Sequence, residues 1–162
     1  DFIQDSGIVT AMVGLLQAPF GTKLYDRLEK DGRIITEMSG DNSDGTTNII
    51  TVLDAQTLQN GYFSIMKSIY SPELLYPRIK TFLAKFNPRK TTVNIRSNEI
   101  MAFFKSVFVM GFNPKESRHY WNLILWTLWH DLKKFPTAIT MVIYGYHFRT
   151  ITEKNLQLLS SA

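Results

Sequence analysis

No cysteine occurs among the 162 residues. Disulfides are therefore excluded, and so is any metal site or iron–sulfur cluster that this stretch would have to hold with thiolates. The absence fits a reducing compartment, and a cytoplasmic location is expected. Long apolar runs are lacking too. None reaches the ~18 residues of a membrane span, and no leader, with its basic start and apolar middle, is expected. Charge of one sign does not dominate: 18 Lys and Arg stand against 14 Asp and Glu, a net +4. The basic clusters are short, Pro88-Arg89-Lys90 and Lys133-Lys134. A nucleic-acid binder would gather its positive charge on one face, so nucleic acid is not an expected partner.

Phosphate and metal motifs are also missing. Gly7, Gly14 and Gly21 are too widely spaced for a phosphate loop. The three histidines do not converge. His119 and His130 lie on one expected helix, about 16 Å apart, and cannot share an ion. His147, between Tyr146 and Phe148, reads as a core or helix-end histidine that bonds locally. Asp41, Asn42, Asp44 and Gly45 suggest a calcium loop, but the register fails. Aligning Gly45 with the invariant glycine puts Gly40 at the first ligand position and Thr51 where a bidentate Glu is needed. A solvated loop of Asx turns is the better reading, and no metal is expected.

What is present is a globular composition. Apolar residues make up 44% and charged residues 20%, with eleven Phe, seven Tyr and three Trp to fill a core. The expected class is mainly α (α+β): about five to six helices preceded by one strand–helix unit. Ile8 to Gln17 is a nearly continuous apolar run, as in a strand buried on both faces of a parallel sheet. Ala18-Pro19-Phe20-Gly21 is a turn. Thr22 caps a helix with Leu24, Tyr25 and Leu28 on one side, and Gly32 stops it. Ser39 to Asn48 is a polar loop, and a short β-like segment follows from Asn48 to Leu53.

From Thr57 the spacing becomes helical. Leu58, Tyr62, Ile65, Met66 and Ile69 share a face, and Ser71-Pro72 opens a second helix. Ile79, Phe82, Leu83 and Phe86 continue it, with a kink or restart expected at Pro77. Asn87 to Arg96 reads as a linker with a short extended stretch. Ser97 begins a helix that ends at Gly111. Asn113-Pro114-Lys115-Glu116 reads as an N-cap, a first-turn Pro and an acid at the third position. The helix it opens should run to about Lys134. Its expected core face is Trp121, Leu125, Leu128, Trp129 and Leu132, with Ile124 at the edge. Leu123 and Trp126 then fall on the flank shared by His119, His130 and Lys133. There the indole is either covered locally or used in an interface, so Leu123, Trp126, His130 and Lys133 are the candidate interface or substrate-shaping residues. Phe135-Pro136 starts another helix, and Glu153 to Leu159 is a short amphipathic end.

Gly14, Leu15, Leu16, Ala18, Gly21, Thr22, Leu24, Tyr25, Arg27, Leu28, Gly32 and Arg33 meet the pattern GLL-x-A-x-x-GT-x-LY-x-RL-x-x-x-GR. This resembles the last strand and helix of the barrel in cobalamin-binding radical-SAM proteins. The remainder resembles the helical domain of unassigned function that follows the barrel in a subset of them. Its pieces are Gly40 to Asn48, Gly61-Tyr62, Ile69 to Ile79, Tyr120-Trp121 and Gly145 to Arg149. The resemblance covers nearly the whole chain, and its functionally understood relatives include hopanoid methylases, which methylate an unactivated carbon of a polycyclic lipid.

The resemblance implies three regions: 1–35 from the barrel, 36–56 a polar loop and β segment, and 57–162 the helical domain. It implies a parent with a [4Fe–4S] cluster, adenosylmethionine and cobalamin, and no cofactor or catalytic residue in this stretch alone. It places Gln17, Ala18 and Pro19 near the adenine of adenosylmethionine; the plainer alternative is that they only make the turn. The implied partners are the barrel and cobalamin domain of the same polypeptide. The start at Asp1 without Met is expected of an excised piece, and equally of N-terminal processing. The other reading is a free-standing helical interaction module, touching a membrane surface through Trp126, Lys133 and Lys134.

Overall fold

The computed structural model describes residues 2–41, 43–87 and 97–160. Its elements are helices α1 (Phe2–Ser6), α2 (Lys23–Lys30), α3 (Ala55–Ile69), α4 (Pro72–Lys85), α5 (Ser97–Ser106), α6 (Ser117–His130) and α7 (Phe135–Ser160). A π-helical turn, Val107–Gly111, continues α5, and a 3₁₀ turn, Leu132–Lys134, precedes α7. The class is mainly α, as expected. The linker expected at Asn87 to Arg96 falls almost wholly outside the described residues.

Contacts gather the chain into two compact units. The first comprises Asp1–Ala11 and Ile69–Arg149; the second comprises Met12–Ser68 and Thr150–Ala162.

The first unit is built on α4 and α6, with α1 laid along α4. Its core includes Val9, Leu75, Tyr76, Ile79, Leu83, Met110, Tyr120, Leu123, Ile124 and Val142, all buried. Gly7 allows α1 to approach. Its φ is +79°, and a Cβ there would stand 3.0 Å from the Phe82 nitrogen, so a side chain is barred by backbone on both counts. Pro77 does not split α4, which runs unbroken through it. The ring sits on the exposed side, where water can satisfy the carbonyl left without a donor.

The core face of α6 is a correction. The buried residues are Tyr120, Leu123, Ile124 and Thr127. The stripe expected to be core is instead open, with Trp121 at 39%, Leu125 at 64%, Leu128 at 45% and Trp129 at 89% exposure, followed by Leu132 at 66%. The helix carries two apolar stripes, and the one with the larger side chains faces out. Glu116 is corrected as well. Helix α6 begins one residue after it, and its side chain makes no cap bond. Nor is the chain's end a separate stretch, because α7 runs from Phe135 through Ser160 without a break.

In the second unit, α2 forms as its sequence dictates. Thr22 Oγ1 accepts from the Tyr25 amide at 3.2 Å. At the other end Gly32, at φ +66°, donates to the Glu29 carbonyl at 3.0 Å, and Arg33 donates to that of Leu28 at 2.7 Å. This is a Schellman closure. Leu28 packs with Ala18 and Ile49, flanked by Leu24, Tyr25 and Ile34. The β-like segment reduces to one antiparallel bridge, Ile34 to Ile49. In α3, Phe63 joins Tyr62 and Met66 in the core, while Ile65 is half exposed.

The strand expected from Ile8 to Gln17 does not form: the segment has no regular structure and no ladder partner among the described residues. Its burial still alternates, with Ile8, Thr10, Met12, Gly14 and Leu16 exposed. At Ala11 one side chain serves both backbone groups. The amide donates to the Tyr70 hydroxyl at 3.1 Å, and that hydroxyl donates to the carbonyl at 2.9 Å.

Candidate functional site

The turn at Gln17–Pro19 lies in the second unit. Gln17 and Ala18 are buried, whereas Pro19 and Phe20 face out, with Phe20 at 86% exposure. The polar loop holds each residue of the approach. Thr47 Oγ1 donates to the Leu16 carbonyl at 2.6 Å. Gln17 Nε2 donates to Ser39 Oγ and to the Thr46 carbonyl, each at 3.3 Å. Asn48 bonds both backbone groups of Ala18 at 2.8 Å. Gln17 Oε1 is a buried acceptor with no partner among the described residues. A cavity of about 640 Å³ opens nearby, lined by Leu15, Ile35, Ile49 and Ile50 on its apolar side and by Thr46, Thr47, Asp54 and Gln59 on its polar side.

The loop is shaped by Asx turns. Asp41 Oδ1 accepts from the amide and hydroxyl of Ser43, each at 2.7 Å. Asp44 Oδ1 accepts from the amide and hydroxyl of Thr46 at 2.8 and 2.7 Å. The bonds from Ser43 hold the Asp41 carboxyl below its usual range. No group of three or more His, Asp or Glu able to hold a metal occurs among the described residues.

A second polar site lies in the core of the first unit. Glu116, 3% exposed, pairs with Arg149. Its other oxygen accepts from the Tyr76 hydroxyl at 3.2 Å. The Arg149 guanidinium lies over the Tyr146 ring at 5.4 Å, and His119 leans on Tyr76 at 5.8 Å. Beside them the Ser106 and Tyr120 hydroxyls meet at 2.8 Å. Burial, then the Glu116 carboxylate, pushes the Tyr76 hydroxyl far above its ordinary value. Tyr76 therefore stays neutral and donates to the Glu116 carboxylate, a bond that ties α4 to the start of α6.

The residues expected at an interface separate. Leu123 is fully buried and cannot line a surface. Trp126 and His130 come together: their rings stack at 4.5 Å, and His130 Nδ1 meets the Trp126 carbonyl at 2.9 Å. Lys80 stands 5.7 Å over the indole. The pair borders a cavity of about 320 Å³ with Ala84, Asp131 and Lys134, which does not include Lys133. His147 is an exposed residue within α7, not a core or helix-end one. No helix among the described residues is long and apolar enough to cross a membrane.

Sequence reasoning missed Asn48 and the Glu116–Arg149 pair. Asn48 read as the start of a β segment, and Glu116 read as a capping acid. A weak signal existed, since both fall in or next to segments singled out for another reason.

Among proteins of known sequence, the chain is 24% identical over 151 residues to a Synechocystis sp. protein described as an uncharacterized methyltransferase. The alignment takes in 91% of this chain and 28% of that protein, so the chain spans little more than a quarter of its relative's length. No solved structure matches the chain. Residues 22–160 match the profile of Domain of unknown function (DUF4070), and the chain belongs to that family.

Proposed function

We propose that this chain is the accessory, substrate-shaping part of a larger methyltransferase of the cobalamin-dependent radical-SAM kind, and that it is not catalytic alone. The observation that carries the reading is the outward apolar face of the first unit. Trp121, Leu125, Leu128 and Trp129 on α6 are exposed, and Phe108 on the π turn and Phe112 just after it stand open at 73% and 69%. The two parts of the face are joined where the Trp121 indole donates to the Gly111 carbonyl at 3.0 Å. A patch of this kind is unusual on a lone domain and typical of one that is covered. The proposed cover is the catalytic body that would make up the rest of the polypeptide. The relative's name and its greater length support this.

The residues present do not fit an iron–sulfur cluster, because no thiolate exists. Its ligands, and cobalamin, belong to the proposed catalytic body. The turn does offer something to adenosylmethionine. Pro19 and Phe20 form an outward apolar ledge, which suits a ring face of an adenine. When bound, adenosylmethionine supplies the radical or methyl group; this chain's residues contribute only a wall. The membrane-surface reading is weaker, because Lys134 is tied to the Leu83 carbonyl at 2.7 Å and Trp126 is already stacked.

The test is the whole polypeptide, purified anaerobically with iron and sulfide. Expected are cluster absorption, bound corrinoid and cleavage of adenosylmethionine. Trp129→Asp and Leu125→Asp should lower substrate turnover with cluster content unchanged. A whole polypeptide that assembles no cluster would sink the radical-SAM reading. Unchanged turnover in both variants would sink the covered face.

A further inference from the structure

We propose that Asn48 is a positioning residue that fixes the Gln17–Pro19 turn for its ligand; this rests on the reading of that turn as a wall of the adenosylmethionine site. Asn48 is 2% exposed, and Ala18 is fully buried. The Ala18 amide donates to Asn48 Oδ1, and Asn48 Nδ2 donates to the Ala18 carbonyl, both at 2.8 Å. One side-chain amide thus pairs with one backbone residue as a neighbouring strand would. Only one orientation of the amide works, since the N–H must meet oxygen and the carbonyl must meet nitrogen. Asp has no donor for the carbonyl, Ser is too short to reach both groups, and Gln adds a methylene where the surroundings are closed.

Asn48 is itself anchored. Its carbonyl accepts from the Ile35 amide at 2.9 Å, and the Ile50 amide donates to the Arg33 carbonyl at 2.8 Å. Arg33 in turn follows the closed end of α2. The bond from Thr47 to the Leu16 carbonyl and those from Gln17 to Ser39 and Thr46 hold the two preceding residues. Three successive residues are therefore registered against the loop before the chain emerges at Pro19 and Phe20. Those two project from a fixed base, so a ligand resting on them need not order the turn, which lowers the cost of binding.

The experiment uses the whole polypeptide with its cluster assembled. Adenosylmethionine affinity is measured by equilibrium dialysis, and exchange of the Ala18 amide by mass spectrometry. In Asn48→Asp the carboxylate faces the Ala18 carbonyl. Affinity should fall about tenfold, as expected for one or two lost hydrogen bonds. Ala18 exchange should quicken, while cluster absorption stays as in the parent. If that variant does not fold, Thr47→Val removes only the bond to Leu16 and should give a loss of about threefold, in line with one neutral bond. Faster Ala18 exchange with unchanged affinity would overturn the positioning role. Unchanged exchange would overturn the clamp itself. A parent that holds its cluster but binds no adenosylmethionine would overturn the reading of the turn, and this proposal with it.

Discussion

The two units solve the same problem, burial of polar groups, with different chemistry. The first buries charge: Arg78 at 1% exposure and Glu116 at 3%, with Arg149 against Glu116. The second buries amides, Asn48 and Gln17, bonded to backbone and to neutral side chains. A buried ion pair fails badly when one partner is lost, because the other is left uncompensated. A neutral amide that loses its partner leaves a smaller penalty. The two units should therefore differ in sensitivity to mutation and to pH.

The largest effect should come from Glu116→Ala. It leaves Arg149 charged in the core, and a loss of about 3–5 kcal/mol is expected for breaking such a pair. Denaturant unfolding followed by tryptophan fluorescence reads it, because all three Trp lie in the first unit. A loss no larger than that of Asn48→Ala would erase the contrast between the units. Next is Gly145→Ala. The new methyl would press into the side chain of Leu75, which is 1% exposed and must shift. Overpacking costs about 1–3 kcal/mol, partly offset by about 1 kcal/mol of helix propensity. A stabilised variant would show that the α4–α7 contact can relax.

Tyr70→Phe should cost about 1–2 kcal/mol, since both backbone groups of Ala11 lose their partner. Faster amide exchange at Ala11 checks it. The pH comparison is subtler. Burial raises the Tyr70 and Tyr120 hydroxyls above their ordinary value, as it does that of Tyr76. A group whose folded pKa is raised gives stability that is complete below its unfolded pKa, about 10 for Tyr. That stability is lost as pH climbs from there toward the folded value. The first unit should therefore weaken in alkali, and Tyr76→Phe should blunt the decline in an alkaline melting series. The smallest effect is in acid. The Asp41 carboxyl is depressed by Ser43, so its contribution holds above the usual carboxylate range and fades as pH falls through it. Asp41→Asn should flatten a slight acid dependence of exchange in the loop, and no change would place the loop's order elsewhere.

Local signals were legible where the chain dictates its own geometry. Thr22, Gly32, Ser71-Pro72 and Phe135 marked helix ends correctly, because caps and stops act within a few residues. Faces were harder. On α6 the buried stripe contains Thr127, whose hydroxyl is satisfied by the Leu123 carbonyl at 2.8 Å. That back-bond lets a polar residue pass as core, and no hydropathy pattern shows it. The apolar run at Ile8 looked like a strand sealed on both faces, yet only alternate residues are covered. The clamp on Ala18 and the Glu116–Arg149 pair join residues 30 and 33 apart in sequence. Such partnerships exist only once the chain has folded, so no spacing rule announces them.

Arg78 has a further consequence. Its guanidinium donates to the carbonyls of Ile69 and Val9 at 2.5 and 3.3 Å and to Gln4 Oε1 at 3.3 Å, and its Nε has no partner among the described residues. All of these acceptors are uncharged, and Arg does not shed its proton to ease the burial. A form that buries the guanidinium before the helix end at Ile69 or the opening residues are in place leaves a cation half stripped of water. A buried cation of this kind acts as a proofreading device for assembly. It makes partly closed forms of the first unit costly, and so sharpens its transition toward all-or-none.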